Sequence, residues 1–256
     1  MHQLNSNLSS SRSRETYSWY PRNELFVKGI IEDVFDDFLQ YSFCGADKLF
    51  DLKRGFDFLD DELELLFPLE DSWKEPVSHI DKLVRGYTAE GEDVYFLVHY
   101  YAGDNPRPEL SERVFNYFFK VWDFYGEMPT SVLFTGGKNN DIYPCGFAQK
   151  YLGSKMDFEF NSYNVLAQSR HKLKKSNNSF AKVLLIVKTA LESPENIEDE
   201  QLLRLKLNLT RHLLSKQIPE RKMAALITFL RYYQRFHNTD MNGAFEAAIM
   251  KLLTEE

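Results

Sequence analysis

Residues Ser78–Phe134 read SHIDKLVRGYTAEGEDVYFLVHYYAGDNPRPELSERVFNYFFKVWDFYGEMPTSVLF. His79–Tyr87 and Asp93–Tyr101 are β-prone runs of Ile, Val, Leu, Phe and Tyr. Thr88–Glu92 between them is polar and contains Gly91, the composition of a hairpin turn. Ser111–Tyr125 then has helical periodicity. Glu112, Asn116, Lys120, Asp123 and Glu127 form a polar stripe, and Val114, Phe115, Phe118, Phe119, Val121 and Trp122 are expected to be buried. Pro129 stops the helix, and Ser131–Phe134 reads as a third strand. A strand–helix–strand connection of this length suits a parallel pair, so the stretch predicts a mixed sheet.

Working outward, Glu24–Tyr41 is predicted to be one amphipathic helix. Ile30, Ile31, Val34, Phe35, Phe38 and Leu39 make its apolar side, and Lys28, Glu32, Asp33, Asp36 and Asp37 face out. Residues 1–23, rich in Ser and Asn at the start, read as a flexible arm. Leu49–Phe58 reads as a short strand or extended loop, and Asp60–Phe67 as a short helix ended by Pro68. Phe147–Leu152 and Lys155–Phe160 read as two strands around Gly153, after which Asn161–Leu166 leads away from the sheet. Arg170–Lys175 is a basic cluster, either a solvated helix face or a phosphate contact. Helices are expected over Asn178–Leu191, capped by Asn178, then Ile197–Lys216, Pro219–Phe236 and Thr239–Leu253. The domain reading is therefore an arm over 1–23, an α/β domain over 24–166 and a helical region over 167–256.

Several of these words resemble a known family. KGIIEDVFDDFL, RGFDFLDDELELLFP, HIDKLVRGY, FLVHYYAG, ERVFNYFFKVWDFYG and FEFNSYNVL, with the helical NSFAKVLL, LKLNLTRHLL and ALITFLRYYQRF, are similar to the bacterial Rpn family. That is the recombination-promoting nuclease/transposase branch of the PD-(D/E)XK nuclease superfamily. The resemblance spans most of the chain from Lys28 to Asn242. It implies a restriction-endonuclease-like mixed sheet flanked by helices, with a C-terminal helical extension. It also implies Mg²⁺-dependent phosphodiester hydrolysis of DNA. An Asp on one hairpin strand and a Glu two residues before a Gln on the next would face the metal together, since alternate strand residues share a face.

Carried over residue by residue, the resemblance puts Asp81 at the Asp position, Tyr101 at the Glu position and Gly103 at the Gln position. A phenol is a poor Mg²⁺ ligand and glycine has no side chain. The resemblance therefore implies a degenerate endonuclease. The alternatives are an active Mg²⁺ enzyme with a relocated carboxylate, such as Glu32 on the first helix or Asp104, and a non-catalytic interaction module that dimerises through aromatic residues. His99 reads either as a core hydrogen-bonder or as a metal ligand beside Asp81. Arg113, near the start of the crossover helix, is expected to meet a phosphate or Asp81. Arg170, Lys172, Lys174 and Lys175 are the candidate nucleic-acid contacts.

Composition sets bounds on these readings. The chain has 256 residues with 43% hydrophobic content, enough for a large core, and its 21 Phe and 14 Tyr are expected to fill it. The net charge is −7 but uneven. Met1–Tyr100 is strongly acidic, with 10 Lys/Arg against 20 Asp/Glu, whereas Leu166–Glu256 has 15 against 10. A contact with phosphate backbones is expected from the later part. Cys44 and Cys145 form no metal motif and are expected to be reduced. With no membrane-length apolar run and no signal-peptide pattern, the chain reads as a cytoplasmic protein.

Overall fold

The computed structural model describes residues 20–67, 79–101, 108–137, 145–194 and 196–254. Helices α1 (Tyr20–Asp33), α2 (Phe35–Ser42) and α3 (Ala46–Leu49) lead into strand β1 (Asp57–Phe58) and helix α4 (Asp60–Leu66). The central hairpin is β2 (His79–Tyr87) and β3 (Asp93–Tyr101), followed by helix α5 (Pro108–Tyr125) and strand β4 (Thr130–Thr135). Strands β5 (Gly146–Tyr151), β6 (Ser154–Glu159) and β7 (Asn161–Asn164) come next. The chain ends in helices α6 (Arg170–Lys175), α7 (Ser179–Glu192), α8 (Asp199–Leu214), α9 (Glu220–Tyr232) and α10 (Asp240–Thr254).

Five strands form one mixed sheet in the order β1-β2-β3-β4-β7. The pairs β1–β2 and β2–β3 are antiparallel, and β3–β4 and β4–β7 are parallel. The expected hairpin, crossover helix and parallel third strand are all present. Tyr87 pairs with Asp93 across the Thr88–Glu92 loop, which the Thr88 amide closes onto the Glu92 carbonyl at 2.8 Å.

Each face of the sheet has its own helical layer. Val84, Phe96, Val98, Tyr100, Val132 and Phe134 point into a large core shared with α1, α2, α7, α8 and α9. That core crosses the expected 166/167 boundary, so the helical end and the sheet share one apolar interior. Leu83, Tyr95 and Leu97 face the other way, against Phe118 and Val121 of α5 and Leu63 of α4. Stacked and edge-on rings join the layers, among them Phe38 with Phe134 and Phe180.

Four expectations need correction. The first helix is two, because Val34 leaves helical geometry (φ −129°, ψ 26°) while the apolar spacing continues across it. Residues 161–164 do not leave the sheet: Asn161–Asn164 pair with Val132–Thr135 as its fifth strand. The two strands expected around Gly153 are present as β5 and β6, but as a hairpin separate from the five-stranded sheet, and its turn residues Leu152 and Gly153 both have positive φ (43° and 90°), with Leu152 largely exposed. Phe119 and Trp122, expected in the core, are exposed on α5 with Phe124. The expected arm lies mostly outside the described residues, and α1 begins within it at Tyr20. Among the described residues no helix is long and apolar enough to cross a membrane.

Buried lysines tie the helices together. Lys82 on β2 is fully buried. Its Nζ meets Glu32 of α1 at 2.5 Å and Asp60 of α4 at 2.9 Å, above the Phe58 ring. Lys182 donates to the carbonyls of Leu173 and Lys174 at the end of α6. Lys206 of α8 donates to the Arg231 carbonyl near the end of α9, between the Phe236 and Phe245 rings, and burial pushes its amine down to about 7. Lys82→Ala empties a fully buried volume and leaves Asp60 to Lys28 alone, and is expected to lower the unfolding free energy by about 2–5 kcal/mol. Glu32→Gln, at a position nearly half exposed, is expected to cost about 1 kcal/mol or less, both measured by urea denaturation.

Candidate functional site

Asp81 and His99 are directly opposed on β2 and β3. Cross-strand partners share a face, and here it is the face covered by α5. His99 Nδ1 lies 2.6 Å from Asp81 Oδ1. From above, Arg113 of α5 places Nη2 on Asp81 Oδ2, and the same nitrogen donates to the Tyr117 hydroxyl at 3.2 Å. Arg113 and Tyr117 are one helical turn apart, so both side chains descend on the same spot. The Tyr117 ring is edge-on to His99 (centroids 5.6 Å apart) and stacked on Phe67 at 3.8 Å. The result is a closed cluster of carboxylate, imidazole, guanidinium and phenol.

The electrostatics follow from burial. Burying Asp81 favours its protonated form. The Arg113 guanidinium, with the His99 hydrogen bond behind it, outweighs this and holds the carboxyl far below the usual range. Burial and then the Asp81 charge push the Tyr117 phenol well above its ordinary value, so it stays protonated at neutral pH. Because His99 Nδ1 faces a carboxylate, Nδ1 carries the proton, which leaves Nε2 as the open ring position. That atom is buried and has no hydrogen-bond partner among the described residues, and the same is true of Arg113 Nε.

The candidates named from the sequence fall into three places. Asp81, His99 and Arg113 come together. Tyr101 lies on the same sheet face but next along β3, opposite His79, packed with Leu110, Val114, Leu133 and Phe160. Gly103 and Asp104 lie outside the described residues. Glu32 is on the far side of the sheet, paired with Lys82, whose side chain leaves β2 on the face opposite to Asp81. This placement corrects Glu32 as a partner of Asp81 in a metal site. In α6, Arg170 is engaged by Thr189 and Glu192, while Lys172, Lys174 and Lys175 are exposed.

Comparison with known proteins finds no matching family model, no curated relative and no matching solved structure. Chemical inference therefore rests on the cluster itself. A Mg²⁺ site needs several hard oxygens converging on one point. Among the described residues no group of three or more His, Cys, Asp or Glu side chains is arranged to hold a metal. Both Asp81 oxygens are instead taken by nitrogen donors. As it stands, the cluster fixes the crossover helix to the hairpin through a charge-assisted network.

The Asp81–His99 contact was not named as a hydrogen bond from the sequence, although its signal is there. Both residues are equidistant from Glu90, the middle of the Thr88–Glu92 loop, so a symmetric hairpin must oppose them. Tyr117 left no comparable signal beyond its one-turn spacing from Arg113.

Arg113→Ala would leave a buried carboxylate without its cation, at an expected cost of about 3 kcal/mol near neutral pH. The folded pKa of Asp81 is depressed, so its stabilisation is complete above the ordinary carboxylate range and declines as pH falls through it. The stability gap between wild type and Arg113→Ala is accordingly expected to narrow steadily below about pH 4. Urea midpoints across that range measure it, and a gap that widens on acidification would contradict this assignment.

Proposed function

We propose that the chain is a degenerate nuclease-fold protein of the Rpn type, whose metal-dependent hydrolytic site has become a structural network. The observation that carries this reading is the Arg113 guanidinium on Asp81, which supplies a tethered positive charge where a hydrolase would need a divalent ion and an open carboxylate. The order of hairpin, crossover helix and parallel strand, with an Asp on the hairpin, supports the fold part of the reading. The buried Tyr101 phenol, two residues along β3 where the resemblance places a Glu, supports the loss of activity, since it leaves Asp81 without a second carboxylate to share a metal. Retained contact with nucleic acid falls to the exposed lysines of α6, in the basic part of the chain.

Plasmid DNA incubated with the protein and Mg²⁺ or Mn²⁺ is expected to remain uncut, for wild type and for Asp81→Asn alike. Metal-dependent cutting that disappears in Asp81→Asn would overturn the degenerate reading in favour of an active enzyme with a relocated ligand. The geometry also specifies a gain of function. His99→Glu combined with Arg113→Gln opposes two carboxylates on one sheet face and is expected to bind Mn²⁺ in about the millimolar range. Calorimetric titration against wild type reads that gain.

A further inference from the structure

Among the described residues β5 and β6 pair only with each other. Phe147, Tyr151, Met156 and Phe158 share one face of this hairpin, and Ala148, Lys150, Lys155 and Asp157 share the other. The apolar face is anchored at its base. There Phe147 stacks on Phe115 of α5 at 5.2 Å, and Phe158 packs on Phe118 at 4.5 Å. The far end is poorly suited to water. Leu152 is 87% exposed at φ 43°, a conformation that disfavours bulky side chains and where two-residue hairpin turns prefer Asn or Gly. Lys150 and Lys155 stand directly opposite each other, a like-charge pair that destabilises a hairpin. Asp157 offsets Lys155, whereas Lys150 has no ion pair among the described residues. An exposed leucine, the exposed Tyr151 beside it and an unbalanced ammonium thus stand together at the tip.

A surface of the opposite charge adjoins the base of the same hairpin. Phe115 stacks in turn on Phe119 at 6.1 Å, and Trp122, three residues on, packs beside Phe118. Phe119 and Trp122 are 51% and 42% exposed. Asp123 lies one turn beyond Phe119 and Glu112 two turns before it, so two acids border the rings. Neither has an ion pair among the described residues, and Lys120 turns away to the Leu66 carbonyl and the Phe67 ring. A basic apolar tip and an acidic aromatic helix face complement each other in charge and in apolar character. Within one chain they do not meet, since the tip residues and the helix face are all exposed.

We propose that a second copy of this chain covers both patches, the hairpin tip of each protomer docking on the α5 face of the other. Leu152 and Tyr151 would lie against Phe119 and Trp122, with Lys150 toward Asp123. One chain carries both halves, so the exchange closes on a two-fold axis and uses each patch twice. Such a dimer does not depend on the fate of the Asp81 site.

Sedimentation velocity of the full chain between about 1 µM and about 100 µM reads the association. A monomer–dimer equilibrium is expected. Leu152→Asn, which the turn accepts at positive φ, is expected to weaken it about a hundredfold, because the dimer buries that side chain twice. Lys150→Glu and Asp123→Lys, both at exposed positions, are each expected to weaken it about tenfold. Lys150→Glu also faces Lys155 across the hairpin and strengthens its fold, which separates lost docking from lost structure. Mixed in equal amounts, the two charge variants are expected to recover the wild-type affinity, because each tip then meets a helix face of opposite charge. A chain that is monomeric throughout, a dimer indifferent to Leu152→Asn, or charge variants that recover nothing on mixing would overturn the proposal. A monomer whose binding to a duplex oligonucleotide falls with Lys150→Glu would overturn it in favour of a hairpin that contacts nucleic acid.

Discussion

Asp81 and Lys82 are neighbours on a strand enclosed on both sides, and strand geometry sends their charges in opposite directions. Neither charge can remain buried alone. Asp81 draws Arg113 down from α5, and Lys82 draws Glu32 from α1 and Asp60 from α4. One dipeptide thus fixes what stands above and below the sheet. Apolar packing supplies most of the stabilisation, but it is non-directional. The two ion clusters set the register and orientation of the helical layers against the hairpin.

The same constraint limits the chemistry. A carboxylate whose oxygens are both occupied by nitrogen donors is fixed in place and unavailable. Opening Asp81 to a divalent ion would require moving Arg113, and the Phe67–Tyr117 stack beside it resists that movement. The basic residues gather in the later part of the chain, whereas Asp81 lies in its acidic first hundred residues.

The central hairpin, α5 and β4 were legible because their periodicities are strong and their boundaries carry Gly and Pro. The helices after residue 178 were legible for the same reason, and Asn178 caps α7 as read, accepting from the Ala181 amide. β7 was missed because Asn161, Ser162 and Asn164 have little strand propensity; sheet pairing with β4 overrides it. The interruption at Val34 was invisible because a buried valine suits either side of a kink. Glu32 was misplaced for a deeper reason. Periodicity tells which side of a helix is apolar, but not which face of a distant sheet it covers. Asp81 was legible as a charge inside an apolar run, and its partner His99 only through the symmetry of the turn.

Lys206 carries a consequence for energetics rather than for sites. Its amine, nearly neutral in the folded helical end, takes up a proton when the chain opens into water. Folding at mildly alkaline pH therefore expels about one proton from this position. The heat of folding must then include the ionisation heat of whatever buffer receives that proton, so enthalpies recorded in Tris and in phosphate will differ even where the free energies agree.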